Sequence, residues 1–391
     1  MIQISDSIQY VGVDDHAIDL FEGQFSVPNG MSYNSYVILD EQVAVMDSVD
    51  AHAGSAWLQN VAQALSGRKP DYLVVHHMEM DHSANIKVFM DTYPSAKIVA
   101  SKMAFGIMKS MFGTDFADRQ VVAGEGFELP LGRHCLHFVT APNVHWPEVI
   151  MSYDAADKVL FSADAFGKFG ALDYDDPEGW ACEARRYYFG IVGKFGAQVQ
   201  ALLKKLSGLD VQTICPLHGP VLSGNVESYV KLYDTWSSYA VESEGITIAY
   251  TSVYGDTKQV AEKLAEILRA KGCPKVAISD IVREDVYECV EDAFRYGTLV
   301  LATTTYCGGV FPAMREFIEH LVERNYQNRR IAFIENGSWV PAAAKGMAKL
   351  LACCKNLTYA QKTVTVKVAM TDETVVQLEA LADELLAPPS C

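Results

Sequence analysis

The pattern of apolar and polar residues changes along the chain and separates it into two parts. Residues 1–50 alternate apolar and polar positions in short runs broken by Gly, Asn and Asp, which is typical of antiparallel strands and hairpins. A helical period follows at Ala56–Leu65, and Tyr72–Val75 is a short apolar strand. Further strands are predicted at Lys97–Ala100, Cys135–Thr140, Val149–Tyr153 and Lys158–Ser162. This order predicts two sheets packed together with helices outside, an αββα sandwich.

From Ile246 onward, apolar strands alternate regularly with helical periods. Strands are predicted at Ile246–Tyr250, Val276–Ser279, Leu299–Ala302 and Ile331–Ile334, and helices at Thr257–Ala270, Ala313–Glu323 and Ala342–Cys354. Because parallel strands need long crossover connections, the alternation predicts an α/β domain with a doubly wound parallel sheet. The polar stretch Val241–Ile246 separates the two patterns, so we place the domains at residues 1–244 and 245–391.

Composition and charge exclude several classes of protein. The 391 residues are 50% hydrophobic and 21% charged, enough for two apolar cores. The net charge of −17 disfavours nucleic acid as a partner. No apolar run is long enough for a membrane span, and the N-terminus does not read as a secretory signal. Nine scattered cysteines without a CxxC pair indicate reduced thiols and a cytoplasmic protein.

The densest group of candidate metal ligands directly follows the strand at Tyr72–Val75. The motif is HxExDH, with His77, Glu79, Asp81 and His82. In an extended chain, alternate residues point the same way, so we expect His77, Glu79 and Asp81 to converge on one site. His82 would then open the next helix and reach a second metal.

Three further candidate ligands each follow an apolar, strand-like run. They are His145, Asp164 and His218. Taken singly, His145 could pack beside Trp146, Asp164 could cap a turn, and His218 could be a turn residue. Scaffolds present functional side chains at such strand ends, so the ordered series together with HxExDH favours a two-metal site.

The second half carries three polar, Gly-containing loops at predicted strand ends. The first connects a strand to a helix, where backbone N–H groups and hydroxyls can hold a phosphate. It lacks the P-loop lysine and the GxGxxG pattern. Loops at the carboxyl ends of a doubly wound sheet converge on one ligand. The residues in question are Ser252, Val253, Tyr254, Gly255, Asp256 and Thr257; Thr303, Thr305, Tyr306, Cys307, Gly308 and Gly309; and Asn336, Gly337, Ser338 and Trp339. They look like a flavodoxin-type FMN site in which Tyr306 or Trp339 could stack on the ring.

HxExDH followed by His145, Asp164 and His218, with the three loops behind them, resembles the flavodiiron proteins, the A-type flavoproteins that include rubredoxin:oxygen oxidoreductases and nitric oxide reductases. The resemblance implies a metallo-β-lactamase-like diiron domain followed by a flavodoxin-like domain. It also implies the ligand sets: His77, Glu79 and His145 for one iron, Asp81, His82 and His218 for the other, with Asp164 bridging. Hydrolytic members of the fold carry HxHxDH, and Glu79 in the second position favours iron over zinc.

The resemblance further implies the function and the partners. Electrons from a separate donor (rubredoxin, a reductase or a reduced deazaflavin) would enter at FMN and pass to two non-haem irons. These would reduce dioxygen to water, nitric oxide to nitrous oxide, or both. The functional unit would be a head-to-tail homodimer or a tetramer, with no rubredoxin-like segment in this chain. Tyr33 is a possible pocket residue, whereas the histidine that some members place before Gly-x-x-Tyr-Asn is absent, since Asn29 precedes Gly30.

Two alternatives stay open at the level of sequence. One is a dinuclear zinc hydrolase of the metallo-β-lactamase fold with an appended flavodoxin-like domain. The other is a non-enzymatic electron carrier or scaffold whose metal site is vestigial. Glu79 and the complete set of flavin loops argue against the first. The filling of all seven ligand positions argues against the second.

Overall fold

A computed structural model of the chain describes residues 2–174, 176–177 and 179–387. The chain divides into two compact units between Asp234 and Thr235, earlier than the predicted change of pattern at residue 244. Arg329 explains the difference, because its guanidinium donates to the carbonyls of Tyr239 and Ala240 at 2.8 and 3.0 Å. These bonds tie the segment before the first strand to the C-terminal unit.

The N-terminal unit contains sixteen short strands and most of seven helices among its described residues. The strands are β1 (Ile8–Tyr10), β2 (Val13–Asp15), β3 (Leu20–Phe21), β4 (Phe25–Ser26), β5 (Met31–Tyr33), β6 (Tyr36–Leu39), β7 (Val43–Met46), β8 (Tyr72–Val74), β9 (Lys97–Ala100), β10 (Gln120–Val122), β11 (Glu128–Pro130), β12 (Cys135–Thr140), β13 (Ile150–Asp154), β14 (Val159–Phe161), β15 (Thr213–Cys215) and β16 (Leu222–Ser223). The helices are α1 (Gly54–Leu65), α2 (Met80–Ser83), α3 (Ile86–Thr92), α4 (Lys102–Phe112), α5 (Trp180–Tyr187), α6 (Gly196–Leu206) and α7 (Val226–Ser237), which crosses the division.

Two six-stranded sheets pack face to face in this unit. The first has the order β1-β6-β7-β8-β9-β10 and the second runs from β11 to β16 in sequence order. Tyr36 and Phe161, from opposite sheets, meet at a ring distance of 5.5 Å within one shared apolar core. At the first sheet, Trp57 of α1 donates to Ser35 Oγ at 2.9 Å. At the second sheet, Lys205 of α6 donates to the carbonyl of Thr140 in β12 at 2.9 Å. The predicted αββα sandwich is confirmed.

The C-terminal unit has one seven-stranded sheet with helices on both faces. Its strands are β17 (Ser243–Tyr250), β18 (Val276–Asp280), β19 (Tyr296–Tyr306), β20 (Gly309–Val310), β21 (Arg330–Asn336), β22 (Thr358–Tyr359) and β23 (Val364–Val366), and its helices are α8 (Asp256–Ala270), α9 (Val286–Arg295), α10 (Pro312–Glu323), α11 (Ala343–Leu350) and α12 (Asp372–Leu386). The order β18-β17-β19-β21-β22 is parallel throughout, and only β20 pairs antiparallel. The flavodoxin-like doubly wound sheet is confirmed.

Differences from the predicted elements are mostly at their ends. Lys97–Ala100 and Cys135–Thr140 are strands with the predicted bounds, and β19 is longer than predicted because it continues to Tyr306. The prediction that His82 opens the next helix was wrong, since α2 already begins at Met80. Among the described residues, no helix is long and apolar enough to cross a membrane. None of the eight described cysteines forms a disulfide, and Cys391 lies outside the described residues.

Candidate metal centre and flavin cavity

The HxExDH motif bends where α2 begins. Glu79 is extended and forms the N-cap of α2, and Met80 is the first helical residue. The alternation that we expected to carry Asp81 to the same site as His77 therefore ends at Glu79. The helix turns Asp81 and His82 toward His218 instead. The prediction that His77, Glu79 and Asp81 share one site was wrong for Asp81, because a four-residue helix begins directly after Glu79.

The first of two ligand groups contains His77, Glu79, His145 and Asp164, whose ligand atoms lie within 4.8 Å of one another. His145 Nε2 lies 3.0 Å from Glu79 Oε2 and 3.2 Å from Asp164 Oδ2. His77 Nε2 lies 3.3 and 3.1 Å from the same two oxygens. Two imidazole nitrogens and two carboxylate oxygens thus face one point.

The second group contains Asp81, His82 and His218. Asp81 Oδ2 lies 3.2 Å from His82 Nε2 and 3.1 Å from His218 Nε2. Asp164 Oδ1 faces this group, 3.2 Å from His82 Nε2, whereas its Oδ2 faces the first group. One carboxylate therefore lies between two sets of ligands, which is the arrangement of a two-metal centre.

Hydrogen bonds from outside the two groups orient the imidazoles. Glu148 Oε1 lies 2.8 Å from His77 Nδ1 and accepts from the backbone N–H of Met78 at 2.9 Å. The carbonyl of Ser32 lies 2.7 Å from Nδ1 of His218. The contacts of Glu148 with His77 and of the Ser32 carbonyl with His218 place a proton on Nδ1 of each ring. Nε2 of each ring is then free to bind a metal ion.

His76 lies outside the centre, although it is the neighbour of His77. Its Nδ1 contacts Asp47 Oδ2 at 2.5 Å, and its Nε2 contacts Ser152 Oγ at 2.8 Å. The ring stacks against Phe161 with an interplanar angle of 13°. His76 is a core residue because alternation along the strand turns it away from His77.

Aromatic rings surround the imidazoles of the centre. Phe21 and Tyr187 lie 5.2 and 5.6 Å from the ring of His218, and Trp146 lies 5.3 Å from the ring of His77. Tyr33, our predicted pocket residue, is buried, and its ring lies 6.0 Å from that of His218. Its hydroxyl points to Asp15 Oδ2 at 3.4 Å. These rings exclude water from the His218 side of the site.

In the C-terminal unit, a cavity of about 460 Å³ opens at the carboxyl ends of β17, β19 and β21. The residues that line it are Ser252, Val253, Tyr254, Asp256, Thr257, Thr304, Thr305, Tyr306, Cys307, Gly308, Asn336, Gly337, Ser338, Trp339, Val340, Ala342 and Val368. All three predicted loops contribute. Thr257 Oγ1 lies 3.0 Å from Thr304 Oγ1, and Asn336 Nδ2 donates to Thr257 Oγ1 at 3.4 Å.

Three of the predicted flavin residues do not line the cavity. Thr303 points into the sheet, where its Oγ1 lies 2.6 Å from Thr251 Oγ1. Gly309 pairs with Tyr306 behind a tight turn, and Gly255 supplies the left-handed turn (φ 103°) before α8. Tyr306 is half exposed, whereas Trp339 is 85% exposed.

Two domain descriptions match the chain in this order. Residues 31–219 match an ODP family beta lactamase, and residues 247–369 match a flavodoxin domain. The chain superimposes on rubredoxin oxygen:oxidoreductase from Desulfovibrio gigas with a TM-score of 0.91 and 25% identity, covering 99% of this chain and 100% of that one. The flavodiiron protein from Giardia intestinalis gives the same TM-score and identity over 98% and 96% of the two chains.

The chain belongs to the flavodiiron protein family. It is also 27% identical over 349 residues to an anaerobic nitric oxide reductase flavorubredoxin of Vibrio vulnificus, covering 86% of this chain and 70% of that protein. The chain spans about half the length of the diflavin flavoproteins that it matches.

The cofactors of a flavodiiron protein are FMN and a non-haem diiron centre, and the described residues fit both. All four carboxylate oxygens of Asp81 and Asp164 are buried and accept no hydrogen bond from the described residues. Burial would raise the pKa of Glu79, but its contacts with His145 and His77 lower it to about 2. Buried ionised carboxylates require a cation, and hard oxygen donors beside imidazoles suit iron.

Sequence reasoning missed several residues of both sites. Glu148 and Ser32 orient imidazoles, but no spacing connects them to HxExDH, and one of them acts through its backbone. Glu22 lies on the turn between β3 and β4. Its side chain is exposed, but loss of solvation around the carboxyl group and the charge of Glu79 raise its pKa to about 7. Thr304 and Val368 line the flavin cavity. Of these residues, only Thr304 could have been found from the sequence, because it lies within the predicted second loop.

Proposed function

We propose that this chain is a flavodiiron oxidoreductase that reduces dioxygen to water, nitric oxide to nitrous oxide, or both, with electrons that enter through FMN. The observation that carries the proposal is the position of Asp164, whose two oxygens face two different ligand groups. A shared carboxylate, together with Glu79 in one group, suits two iron ions that change oxidation state. Membership of the flavodiiron family supports an oxidoreductase.

In this proposal, each side chain has a defined task. The first iron would be held by His77, Glu79 and His145, the second by Asp81, His82 and His218, and both by Asp164. When bound, the irons supply the binding and reduction of the gas. Glu148 and the Ser32 carbonyl keep Nε2 of His77 and His218 aimed at the centre. The surrounding rings keep bulk water away from the reacting gas.

The flavin would lie in the cavity of the C-terminal unit. The turn at Ser252–Thr257 and the start of α8 provide N–H groups for the phosphate. The loops after β19 and β21 would flank the ring, with Tyr306 or Trp339 stacked on it.

The partners stay predictions. The donor would be a rubredoxin, a reductase or a reduced deazaflavin, and the functional unit a head-to-tail homodimer or a tetramer. The cytoplasm is the predicted compartment, and the net charge of −17 disfavours nucleic acid.

Metal analysis and gas consumption test the function together. Protein purified without added metal should contain iron, and dithionite-reduced protein should consume dioxygen or nitric oxide in stopped-flow measurements. Following flavin and iron oxidation separately would distinguish the two gases. Zinc in place of iron, with thioesterase or lactonase turnover, would support the hydrolase alternative instead. Bound iron and flavin without gas consumption would support a carrier or scaffold.

A further inference from the structure

One segment of the C-terminal unit has a charge opposite to that of the whole chain. Between Glu335 and Asp372 there is no Asp or Glu, although the net charge of the protein is −17. The segment contains five lysines, all of them exposed: Lys345, Lys349, Lys355, Lys362 and Lys367. It is therefore a basic segment of an acidic chain.

Most of these lysines are not neutralised by neighbouring carboxylates. Elsewhere in the unit, Lys263 pairs with Glu266 at 3.0 Å and Lys271 with Glu379 at 2.8 Å. Among the described residues, Lys345 and Lys349 form no such ion pair. They are four residues apart on α11 and thus lie on the same side of that helix. Their charges are available to a partner.

A wide groove of about 640 Å³ lies beside these lysines, between α11 and the edge strand β22. We call it the α11 groove, after its lining residues Phe333, Ala344, Lys345, Ala348, Leu357 and Tyr359. The rings of Phe333 and Tyr359 stack at 5.9 Å. Among the lining residues Lys345 is the one basic side chain, and Lys349 lies one helical turn further along α11. An open apolar groove edged by lysine is the composition of a docking surface rather than of an enclosed small-molecule site.

One end of the α11 groove lies near the flavin cavity, and the groove extends from there along α11 to β22. Ala342 lines the cavity, whereas Ala344, two residues further along, lines the groove. Trp339 and Val340, which also line the cavity, are 85% and 67% exposed. A protein seated over the Ala344 and Lys345 end of the groove would therefore lie near the place where electrons would enter.

We propose that the α11 groove docks the acidic face of a small electron-transfer protein. The inference rests on the proposed function, in which FMN receives electrons from a donor. An acidic protein and an acidic donor repel each other, which slows their association. The lysines at the groove attract the acidic face of the donor and raise the association rate. The apolar floor then holds the donor at the flavin.

Binding is tested with the holoprotein and a zinc-substituted rubredoxin of net negative charge, which docks without transferring electrons. The double variant Lys345→Glu/Lys349→Glu should raise Kd about tenfold or more at low ionic strength, and added salt should narrow the difference. The matched control is Lys263→Glu/Lys275→Glu, which changes net charge equally outside the segment. The control should leave Kd within about twofold of the original.

Electron delivery gives the second readout. Two ferrous rubredoxins, each oxidised to the ferric form, supply the two electrons that FMN takes up with two protons from solvent. The rate of flavin bleaching by rubredoxin should fall about tenfold in the groove variant. The rate with dithionite, which needs no docking surface, should not change.

Three outcomes would overturn the docking proposal. These are an unchanged Kd, equal weakening in the control variant, or dissociation of oligomers in the groove variant, which would make the groove an interface between copies of this chain. The proposed function is judged separately, because dithionite-reduced protein needs no protein donor to consume gas. A failure of the proposed function would appear in the gas-consumption assay and not in the rubredoxin titration.

Discussion

At the scale of single residues, the centre depends on which way neighbouring side chains point. His76 and His77 are adjacent, yet one is held by Asp47 and Ser152 in the core and the other faces Glu79 and Asp164. Replacing His76 should therefore lower stability and leave the metal content unchanged. Replacing His77 should lower the metal content and change stability less.

Replacing His76 by Ala leaves Asp47 and Ser152 buried without their partner, so we expect a loss of roughly 3 kcal/mol in the free energy of unfolding. The folded fraction should keep its full iron content. Replacing His77 by Ala should do the reverse, with iron lost and a smaller change in stability. Denaturant titration and metal analysis of both variants check the prediction. Loss of iron in folded His76→Ala protein would contradict it.

Glu79 tests the choice of metal. Glu79→His replaces an anionic oxygen donor with a neutral imidazole, so we expect iron retention to fall and the preference for zinc to rise. The iron-to-zinc ratio after growth with both metals measures the effect. Glu244→His, at an exposed position outside the groups of possible metal ligands, serves as the control. Unchanged iron content and activity in Glu79→His would count against Glu79 as a ligand.

At the scale of elements, each site lies where a strand ends and a short turn begins. The four-residue helix α2 divides HxExDH between two ligand groups, and the left-handed turn at Gly255 sets the start of α8. At Gly255 an added Cβ would touch nothing within 4 Å, so any effect of a substitution would come from the backbone alone.

Gly255→Ala forces a Cβ into a left-handed conformation (φ 103°). We expect about 1 kcal/mol lower stability and about tenfold weaker FMN binding, because the strain shifts the N–H groups at the start of α8. Gly272→Ala, just beyond the other end of α8, has φ 85° and equally open surroundings. It should lower stability similarly but leave FMN affinity unchanged. Flavin titration of the apoprotein distinguishes the two, and equal FMN losses would contradict the prediction.

At the scale of the whole molecule, the predicted head-to-tail dimer requires the FMN of one chain to serve the irons of the other. Mixed dimers test this, because a chain with His77→Ala keeps its flavin and a chain that cannot bind FMN keeps its irons. Each variant alone should be inactive, whereas coexpression should restore part of the activity. Coexpression without recovery, although mixed dimers form, would show that transfer takes place within one chain.

The fold class could be predicted from the spacing of apolar residues, because alternation with period 2 and period 3.6 reports which faces must be buried. Even strand ends such as those of Lys97–Ala100 followed from the apolar pattern alone. The residue types of HxExDH likewise indicated a metal site, since imidazole and carboxylate groups are the usual ligands of iron and zinc.

Neither the spacing of apolar residues nor the residue types showed which ligand belongs to which of the two groups. Asp81 faces His218 rather than His77 because a helix of only four residues follows Glu79, and so short a helix has no periodic signature. Glu148 and Ser32 reach the imidazoles from distant segments, through contacts that only chain packing creates. Local patterns thus specified the chemistry of the site, while the long-range folding of the two sheets specified its geometry.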